Sequence, residues 1–232
     1  MDVGRKLASL TLQAVGGACV LLANLPRGTR RGWSRYRTWD MLKARRIADR
    51  LHDGDRVLDI GCGTGHMLAE LSLFRGIEPQ GVDLDLHPER FAEIPITVFD
   101  GKSLPFDDGQ FDATMLCYVM HHLVPADAAA MLQEARRVTR RKVFLIEDSL
   151  PTFGPLYRLR NRIHRFEAGM RYANTAAVYR SPPDEAMFMT HAQWMAWLTA
   201  QPGVAHVELE SFADISQHDH HTLFDISLRN VS

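Results

Sequence analysis

A run of glycines after a short apolar segment carries the clearest chemistry in this sequence. Residues 57–66 read V-L-D-I-G-C-G-T-G-H, which predicts a buried strand that ends in an acidic residue, Asp59, then a glycine loop, and then a helix that begins near His66. Glycine tolerates positive φ and has no side chain, so such a loop lets the backbone approach a ligand closely. The free N–H groups at the start of the helix favour an anion. The run therefore predicts a turn that binds a nucleotide-like ligand.

The spacing of the glycines separates two classes of ligand. Dinucleotide-binding turns have the pattern G-x-G-x-x-G, whereas this run has G-x-G-x-G, with His66 in the place of the third glycine of that pattern. Asp59 also stands two residues before Gly61. The run resembles the first motif, D-x-G-x-G-x-G, of the class I S-adenosylmethionine-dependent methyltransferases. This spacing disfavours a nicotinamide-dependent reductase.

The resemblance continues along the next part of the chain. Residues 80–84 resemble the second strand of the family, with Asp83 at its end and 18 residues after Gly65. An acidic residue at a similar spacing binds ribose hydroxyls in βαβ nucleotide sites. Residues 96–101 resemble the third strand, and the family's acidic residue at the position of Asp100 faces the adenine amino group. Residues 103–112 match the L-P-F-x-D-x-x-F-D stretch of the branch that contains the ubiquinone and menaquinone methyltransferases.

The resemblance implies that residues of these motifs bind S-adenosylmethionine, the methyl donor. The candidates for cofactor binding are Asp59, Gly61, Cys62, Gly63, Gly65, Asp83, Leu84, Asp100, Gly101 and Cys117. Structural alternatives exist: the glycines can merely tighten a turn, Asp83 and Asp100 can cap loops or helices, and Cys62 and Cys117 can be packing residues. With three cysteines and no C-x-x-C pair, neither a disulfide framework nor a zinc site is indicated.

The pattern of apolar residues predicts the elements that position these motifs. Strand-like runs lie at 56–60, 80–83, 96–99, 111–117 and 142–147, and they alternate with helical patterns near 66–74 and 127–138. A further helix is expected over 191–199, followed by strand-like runs at 205–212 and 222–228. Such alternation predicts a parallel sheet with helices on both faces. We expect an α/β fold with a Rossmann-like, doubly wound, seven-stranded sheet, mostly parallel, whose last strand is antiparallel as the resemblance implies.

Charge is distributed unevenly along the 232 residues. Residues 1–50 hold 11 Lys and Arg against 3 Asp and Glu, whereas residues 51–232 hold 16 against 25. Residues 7–25 contain no charged side chain, and their number is close to the roughly 20 residues that a membrane span requires. We expect a basic amino-terminal arm with an apolar helix over residues 1–50, and a methyltransferase domain over residues 51–232. The apolar helix either associates with a membrane or packs on the domain, and both alternatives stay open.

The sequence also indicates a location and a class of partner. No A-x-A cleavage site follows the apolar run, so a secretory signal is disfavoured. We expect a cytoplasmic protein, with attachment to the inner face of the membrane left open. Nucleic acid is not expected as a partner, because the catalytic portion is acidic and has no aromatic-basic groove. The oligomeric state is not indicated.

An insertion, residues 150–190, separates the fifth strand from the tail. In its first half, residues 155–166, arginines stand between apolar residues at helical spacing. In the family, segments after the fifth strand often cover the substrate pocket. A basic lid would suit an anionic or lipid-head-group acceptor, and an ordinary solvated helix face is the alternative.

The residues after the fourth strand are candidates for catalysis. Methyl transfer from a sulfonium donor is an in-line displacement, so the protein must hold the reacting atoms in line. A phenol, amine or carbon acid must also lose a proton, most often to a histidine. Tyr118, His121 and His122 follow the fourth strand, and residues 119–123 resemble a histidine-containing stretch of the family. His121 and His122 are the candidate catalytic bases, with a structural role in the loop as the alternative.

A second group of histidines lies between the last two strand-like runs. It contains His218, His220 and His221, with Asp219 among them. A zinc site needs three or four ligands that converge on the ion, but adjacent residues of a strand point to opposite faces. We expect a surface hairpin here and no metal site.

These patterns predict a function and one alternative from another class. The first is an S-adenosylmethionine-dependent methyltransferase that moves a methyl group to a small-molecule or lipid-like acceptor. The alternative is a protein with the methyltransferase fold that binds the cofactor, or has lost it, and serves as an assembly factor without turnover.

Overall fold

The computed structural model describes residues 33–150, 187, 189–213 and 220–229. The chain divides into two compact units, Met1–Leu42 and Lys43–Ser232. The predicted apolar helix at 7–25 and the first half of the predicted insertion lie outside the described residues. The predicted division into an arm and a domain at residue 50 stays a prediction.

Four helices and one 3-10 turn are described. They are α1 (Trp33–Ala48), α2 (His66–Ser72), the 3-10 turn Met120–His122, α3 (Pro125–Arg137) and α4 (His191–Thr199). Local sequence explains where two of them begin. Pro125 occupies the start of α3, where its missing N–H is not needed. Thr190 and Gln193 form a reciprocal capping box at the start of α4, which satisfies two backbone donors.

The strands form one mixed sheet. They are β1 (Arg56–Ile60), β2 (Glu78–Asp83), β3 (Ile96–Val98), β4 (Phe111–Cys117), β5 (Thr139–Leu150), β6 (Met189–Thr190), β7 (Val204–Ala213) and β8 (His220–Leu228). The order across the sheet is β3-β2-β1-β4-β5-β8-β7, and β6 pairs separately with the end of β5. The first five strands are parallel, whereas β8 runs antiparallel to both β5 and β7.

The predicted α/β fold is confirmed. Each strand-like run corresponds to a strand, and the antiparallel strand is the last one, as expected. The short β6 is an addition to the seven predicted strands. The strand β5 is longer than the predicted 142–147, because Thr139 at its start pairs with Phe111 of β4 and Asp148 near its end pairs with His221 of β8.

Apolar layers cover both faces of the sheet. On one face, Leu58 and Ile60 of β1 join a buried cluster that includes Leu132 of α3 and Trp194 of α4. On the other face, Val57 joins a cluster that contains the last turn of α1 and the helix α2. Successive strand residues alternate between these clusters because side chains of a strand point to opposite faces. The doubly wound arrangement follows from this alternation.

A charged network joins the end of α1 to the antiparallel strands. Asp225 of β8 is only 3% exposed and accepts hydrogen bonds from Lys142 Nζ at 2.7 and 2.9 Å. Arg50 lies 3.2 Å from the same carboxylate and 3.0 Å from Glu210 of β7. The buried carboxylate is thus paired from two sides, as a buried charge requires.

Among the described residues, no helix combines the length and the apolar character that crossing a membrane requires.

Candidate functional site

The glycine loop lies at the carboxyl edge of the sheet, between β1 and α2. Gly61, Gly63 and Gly65 have φ values of 72°, 53° and 78°, a region that side-chain-bearing residues rarely adopt. A Cβ atom on Gly61 would lie 2.6 Å from Cγ2 of Val119, whereas one on Gly63 would meet no atom within 4 Å. The loop therefore packs tightly at Gly61 and leaves open backbone at Gly63.

Asp83, at the end of β2, binds this loop directly. The N–H of Gly63 donates to Asp83 Oδ2 at 2.6 Å, and the N–H of Leu84 donates to Asp83 Oδ1 at 2.7 Å. A carboxylate has about four acceptor positions, so two bonds leave capacity for hydroxyl groups of a ligand. The sequence predicted that Asp83 and the glycine loop serve one site, and the structure brings them into contact.

Asp59 lies beneath the loop with an unsatisfied oxygen. Its side chain is 2% exposed, and Oδ1 has no hydrogen-bond partner among the described residues. Burial, and next the negative charge of Asp83, raise the pKa of Asp59 well above its usual range. Both effects disfavour a negative charge on Asp59. The buried oxygen is thus an acceptor that lacks a donor.

Cys62 packs between the loop and β2. A Cβ atom on Gly81 would lie 2.6 Å from Cys62 Sγ, so this glycine makes room for the thiol. Burial, with the nearby charges of Asp59 and Asp83, raises the pKa of Cys62 far above its usual value. The thiol therefore remains protonated, which fits the packing alternative for Cys62.

Asp100 and Gly101 form a turn after β3, next to the end of β2. Asp100 Oδ1 accepts from the N–H groups of Lys102 and Ser103 at 2.8 and 3.0 Å, and these bonds lower the pKa of the carboxyl. A Cβ atom on Gly101 would lie 2.9 Å from Leu84 Cδ2. Leu84, Asp100 and Gly101 therefore share one end of the site. The capping alternative describes the contacts of Asp100 equally well, so its role towards a ligand stays a prediction.

Helix α3 anchors the segment that follows this turn, a function that the sequence analysis missed. Arg137 donates to the carbonyl oxygens of Leu104 and Phe106 at 2.9 and 2.8 Å. Glu134 accepts from the N–H of Leu104 at 2.8 Å and pairs with Arg137 at 2.8 Å. The spacing of Glu134 and Arg137, one turn apart on a helix, was the available signal.

The turn after β4 forms the other side of the site. It follows Cys117, which is half-buried at the end of β4. Tyr118 has a φ of 61°, which is a rare conformation for an aromatic residue. Its N–H donates to the carbonyl of Ile146 on β5 at 2.8 Å. The turn is thus held to the neighbouring strand at its first residue.

The two candidate bases differ in exposure and in charge. His121 is 1% exposed, and its Nδ1 lies 2.5 Å from Oε2 of the buried Glu147. Burial opposes protonation of His121, but Glu147 and Asp148 outweigh it and raise its pKa. His122 is half-buried, and burial together with the charge of His121 lowers its pKa to about 3. The surroundings therefore favour the protonated form of His121 and the neutral form of His122.

Further polar residues line the end of β5 and were not predicted. Asp148 Oδ1 lies 3.3 Å from His221 Nε2, and the ring of His221 contacts that of Tyr118 at 5.1 Å. Thr222 Oγ1 is bonded to Ser149 Oγ at 2.9 Å and to His191 Nε2 at 2.8 Å. The sequence offered one indication of these residues: the polar run Glu147–Ser149 lies at the carboxyl end of a strand, where ligands of such sheets bind.

The last two strands form the hairpin expected from the sequence, with β7 antiparallel to β8. Of the second histidine group, only the side chain of His221 is described, and it pairs with Asp148. Within the described residues, no group of three or more His, Cys, Asp or Glu side chains is arranged to hold a metal ion. The absence of a metal site stays a prediction for the rest of the group.

Sequence comparison identifies relatives of this chain. Residues 58–146 match the model of a methyltransferase domain. The chain is 35% identical over 130 residues to a demethylmenaquinone methyltransferase of Corynebacterium urealyticum, with 53% of this chain and 54% of the relative covered. It is 31% identical over 159 residues to a demethylmenaquinone methyltransferase of a Mycobacterium species, with 62% and 68% covered. The chain spans about half the length of the Corynebacterium relatives that it matches.

Solved structures agree on the fold. The magnesium protoporphyrin IX methyltransferase of Synechocystis with bound SAH superimposes with a TM-score of 0.56 at 13% identity, over 97% of this chain and 100% of that one. At this identity the likeness concerns the fold alone. The Mycobacterium relative is similar enough, over enough of its length, to settle the family. This chain belongs to the class I S-adenosylmethionine-dependent methyltransferases, in the ubiquinone and menaquinone methyltransferase branch.

Proposed function

We propose that the protein transfers the methyl group of S-adenosylmethionine to a small-molecule acceptor of the quinone type. The observation that carries this proposal is the contact between the open glycine loop and Asp83 at the carboxyl edge of the sheet. In doubly wound sheets, ligands bind outside the carboxyl ends of the strands. Family membership supports the donor, and the names of the relatives, demethylmenaquinone methyltransferases, support the class of acceptor.

The residues of the loop fit the chemistry of this donor. Gly63 presents backbone without a side chain, so a ligand can lie against it. Asp83 has acceptor capacity left for ribose hydroxyls. Leu84 is 38% exposed beside Gly101 and offers an apolar surface to a base. Oδ1 of Asp59 is an acceptor that lacks a donor among the described residues.

Residues of the turn after β4 are assigned to the acceptor. When bound, S-adenosylmethionine supplies a methyl group that its sulfonium already activates. The protein must then hold the acceptor in line with it, at about 3–3.5 Å for the reacting atoms. His121 or His122 is the proposed group that receives the acceptor's proton, because both belong to the turn next to the end of β4. Glu147 binds this turn and holds it in place.

Binding experiments test the donor first. Titration calorimetry of the full chain with S-adenosylmethionine, with its demethylated product and with NAD should give heat for the first two ligands only. Heat with NAD alone would contradict the proposal that this chain binds S-adenosylmethionine. No heat with any of the three would favour a protein that has lost its cofactor.

A transfer assay then tests turnover. Labelled methyl groups should appear on reduced demethylmenaquinone, and His122→Asn should lower the rate without changing the affinity for S-adenosylmethionine. His206→Asn is the matched control, because His206 is 66% exposed on β7. Binding without transfer, to this acceptor or to membrane and soluble extracts of the host, would favour the assembly-factor alternative.

Contact with the inner face of the membrane is part of the same proposal. Residues 7–25 carry no charge, and arginines follow them at 27, 30, 31, 35 and 37. Such a segment suits an interface with anionic lipid. Fractionation of the full chain without detergent should leave a share of it with membranes. A fully soluble product with the arm intact would contradict this part of the proposal.

A further inference from the structure

Glu147 connects two parts of the turn after β4. Its Oε1 accepts from the N–H of Met120 at 2.7 Å, and its Oε2 lies 2.5 Å from His121 Nδ1. The glutamate is fully buried and stands on β5, one residue after Ile146, whose carbonyl binds the N–H of Tyr118. Three residues of the turn are thus fixed by two neighbouring residues of β5.

The turn has one histidine inside and one nearer to solvent. His121 is 1% exposed and is bonded to Glu147. His122 is half-buried, and its ring centroid lies 4.1 Å from that of His121, at an angle of 47° between the rings. An acceptor molecule can therefore reach His122 more readily than His121. The hydrogen-bonded pair of Glu147 and His121 thus lies inside, next to the more exposed ring of His122.

We propose that Glu147 is a positioning residue for methyl transfer: it fixes the Tyr118–His122 turn through Met120 and His121, and it thereby presents His122 to the acceptor. The inference rests on the proposed methyl transfer. It makes His122 the ring that faces the acceptor and gives His121 a supporting role, a distinction that the sequence left open. Such placement matters because a displacement of about 1 Å in a catalytic group can cost on the order of a hundredfold in rate.

The two rings also differ in how readily they are protonated. Burial lowers the pKa of His121, but Glu147, by its charge and its hydrogen bond, and Asp148 raise it above the usual value. Burial and the charge of His121 lower the pKa of His122 to about 3. His122 thus keeps a nitrogen lone pair at neutral pH and can accept a hydrogen bond from an acceptor hydroxyl.

Further charged groups of the described residues lie near the turn, around Tyr118. Asp148 pairs with His221, whose ring contacts Tyr118. Lys43 lies over the ring of Tyr118, with Nζ 4.8 Å from the ring centroid. Asp148 contributes to the raised pKa of His121 by its charge, whereas the bonded carboxylate is that of Glu147.

Glu147→Gln tests the inference with little change in shape. The glutamine oxygen can still accept from the N–H of Met120, and its amide can donate to a neutral His121. The fold should therefore survive, while the negative charge beside His121 disappears. Glu208→Gln is the matched control, since Glu208 is 65% exposed on β7.

Histidine titrations by NMR give a readout that does not need turnover. With ¹³C-labelled histidine and signals assigned through His121→Asn and His122→Asn, His122 of the native protein should remain neutral at all pH values above 5. In Glu147→Gln, His121 should lose its proton at a lower pH, and the pKa of His122 should rise because its charged neighbour is gone. Unshifted titrations of both histidines in Glu147→Gln would overturn the inference.

Kinetics provide the second readout. Glu147→Gln should lower kcat by about 10- to 100-fold while the Kd for S-adenosylmethionine stays at the native value, and Glu147→Asp should recover part of the loss. An equal loss of donor affinity in Glu147→Gln would indicate general damage and overturn the positioning role, as would a native kcat. If the native protein transfers no methyl group to any acceptor, the proposed function fails, and the titrations still decide whether Glu147 controls the two histidines.

Discussion

The backbone N–H of Gly63 lies 2.6 Å from Oδ2 of Asp83, so the open part of the glycine loop is joined to the end of the neighbouring strand. The other oxygen of Asp83 accepts from the N–H of Leu84. One carboxylate therefore holds two backbone donors from two segments of the site.

Asp83→Asn should weaken the binding of S-adenosylmethionine by about 10- to 100-fold, the range of hydrogen bonds to a charged group. The asparagine amide would face one of the two N–H donors, so one bond within the loop is lost as well. Calorimetric titration gives the Kd. Asp49→Asn is the control, because Asp49 is 44% exposed and pairs only with the exposed Arg45 in the ion pairs that the structure describes. Equal affinities in the two variants would contradict the role of Asp83.

Gly61→Ala should destabilise the protein by about 1–3 kcal/mol more than Gly54→Ala, the usual range for overpacking. Both glycines have positive φ, 72° and 84°, so the backbone strain of the two variants is comparable. Only at Gly61 would the new Cβ atom meet another side chain, Cγ2 of Val119 at 2.6 Å. Urea unfolding measures the difference.

The double variant Gly61→Ala/Val119→Ala separates contact from strain. Truncation of Val119 removes the atom that the new Cβ would meet, so a double-mutant cycle should show a favourable coupling. A coupling near zero would mean that the contact between the new Cβ atom and Val119 does not cause the loss of stability in Gly61→Ala.

The glycine loop was predictable because its determinants are local. A strand, three glycines at fixed spacing and a helix follow one another within residues 57–66. The backbone at these positions confirms the predicted turn, with positive φ at Gly61, Gly63 and Gly65. Asp83 was located by its distance along the chain and by the family resemblance, and the parallel pairing of β1 with β2 brings it to the loop.

Glu147 was not predictable, because its contacts depend on register between distant segments. It lies 26 residues from His121, and they meet because Cys117 pairs with Ile146 across β4 and β5. Arg137 is a similar case, 33 residues from the carbonyl of Leu104 that it binds. A helical or strand period shows which residues are buried, but not which polar side chains meet once the sheet has formed.

Asp225→Ala should lower the free energy of unfolding by about 2–4 kcal/mol, because half-buried Lys142 loses this carboxylate and Arg50 keeps only Glu210 of its two carboxylate partners. Lys142 and Arg50 both contact this carboxylate, which is 3% exposed. Asp49→Ala removes an exposed pair and should cost at most about 0.5 kcal/mol. Urea unfolding of both variants gives the comparison, and similar losses would show that the Asp225 network contributes no more than a surface pair.

Asp59 makes stability depend on pH. Burial, and then the charge of Asp83, raise the pKa of Asp59 in the folded protein, whereas the unfolded chain should have an ordinary value of about 3.9. The folded state then binds the proton more tightly than the unfolded state. Its contribution to stability is present in full below the unfolded pKa and is lost as the pH rises through the folded pKa.

Asp59→Asn should therefore be more stable than the native protein at pH 8, and the difference should shrink as the pH falls towards 5. Asparagine is neutral and of similar shape, so it removes the cost of a buried charge and leaves the packing unchanged. Urea unfolding at several pH values measures both curves, with Asp49→Asn as the control that should follow the native curve. Parallel curves for Asp59→Asn and the native protein would show that Asp59 does not change its protonation on unfolding.

Asp59→Asn should also bind S-adenosylmethionine about 10-fold more weakly. The asparagine places at the position of the unsatisfied Oδ1 either an amide nitrogen or an amide oxygen that is less basic than a carboxylate oxygen. A gain in stability with a loss of affinity would mean that this buried carboxylate is kept for the ligand and not for the fold.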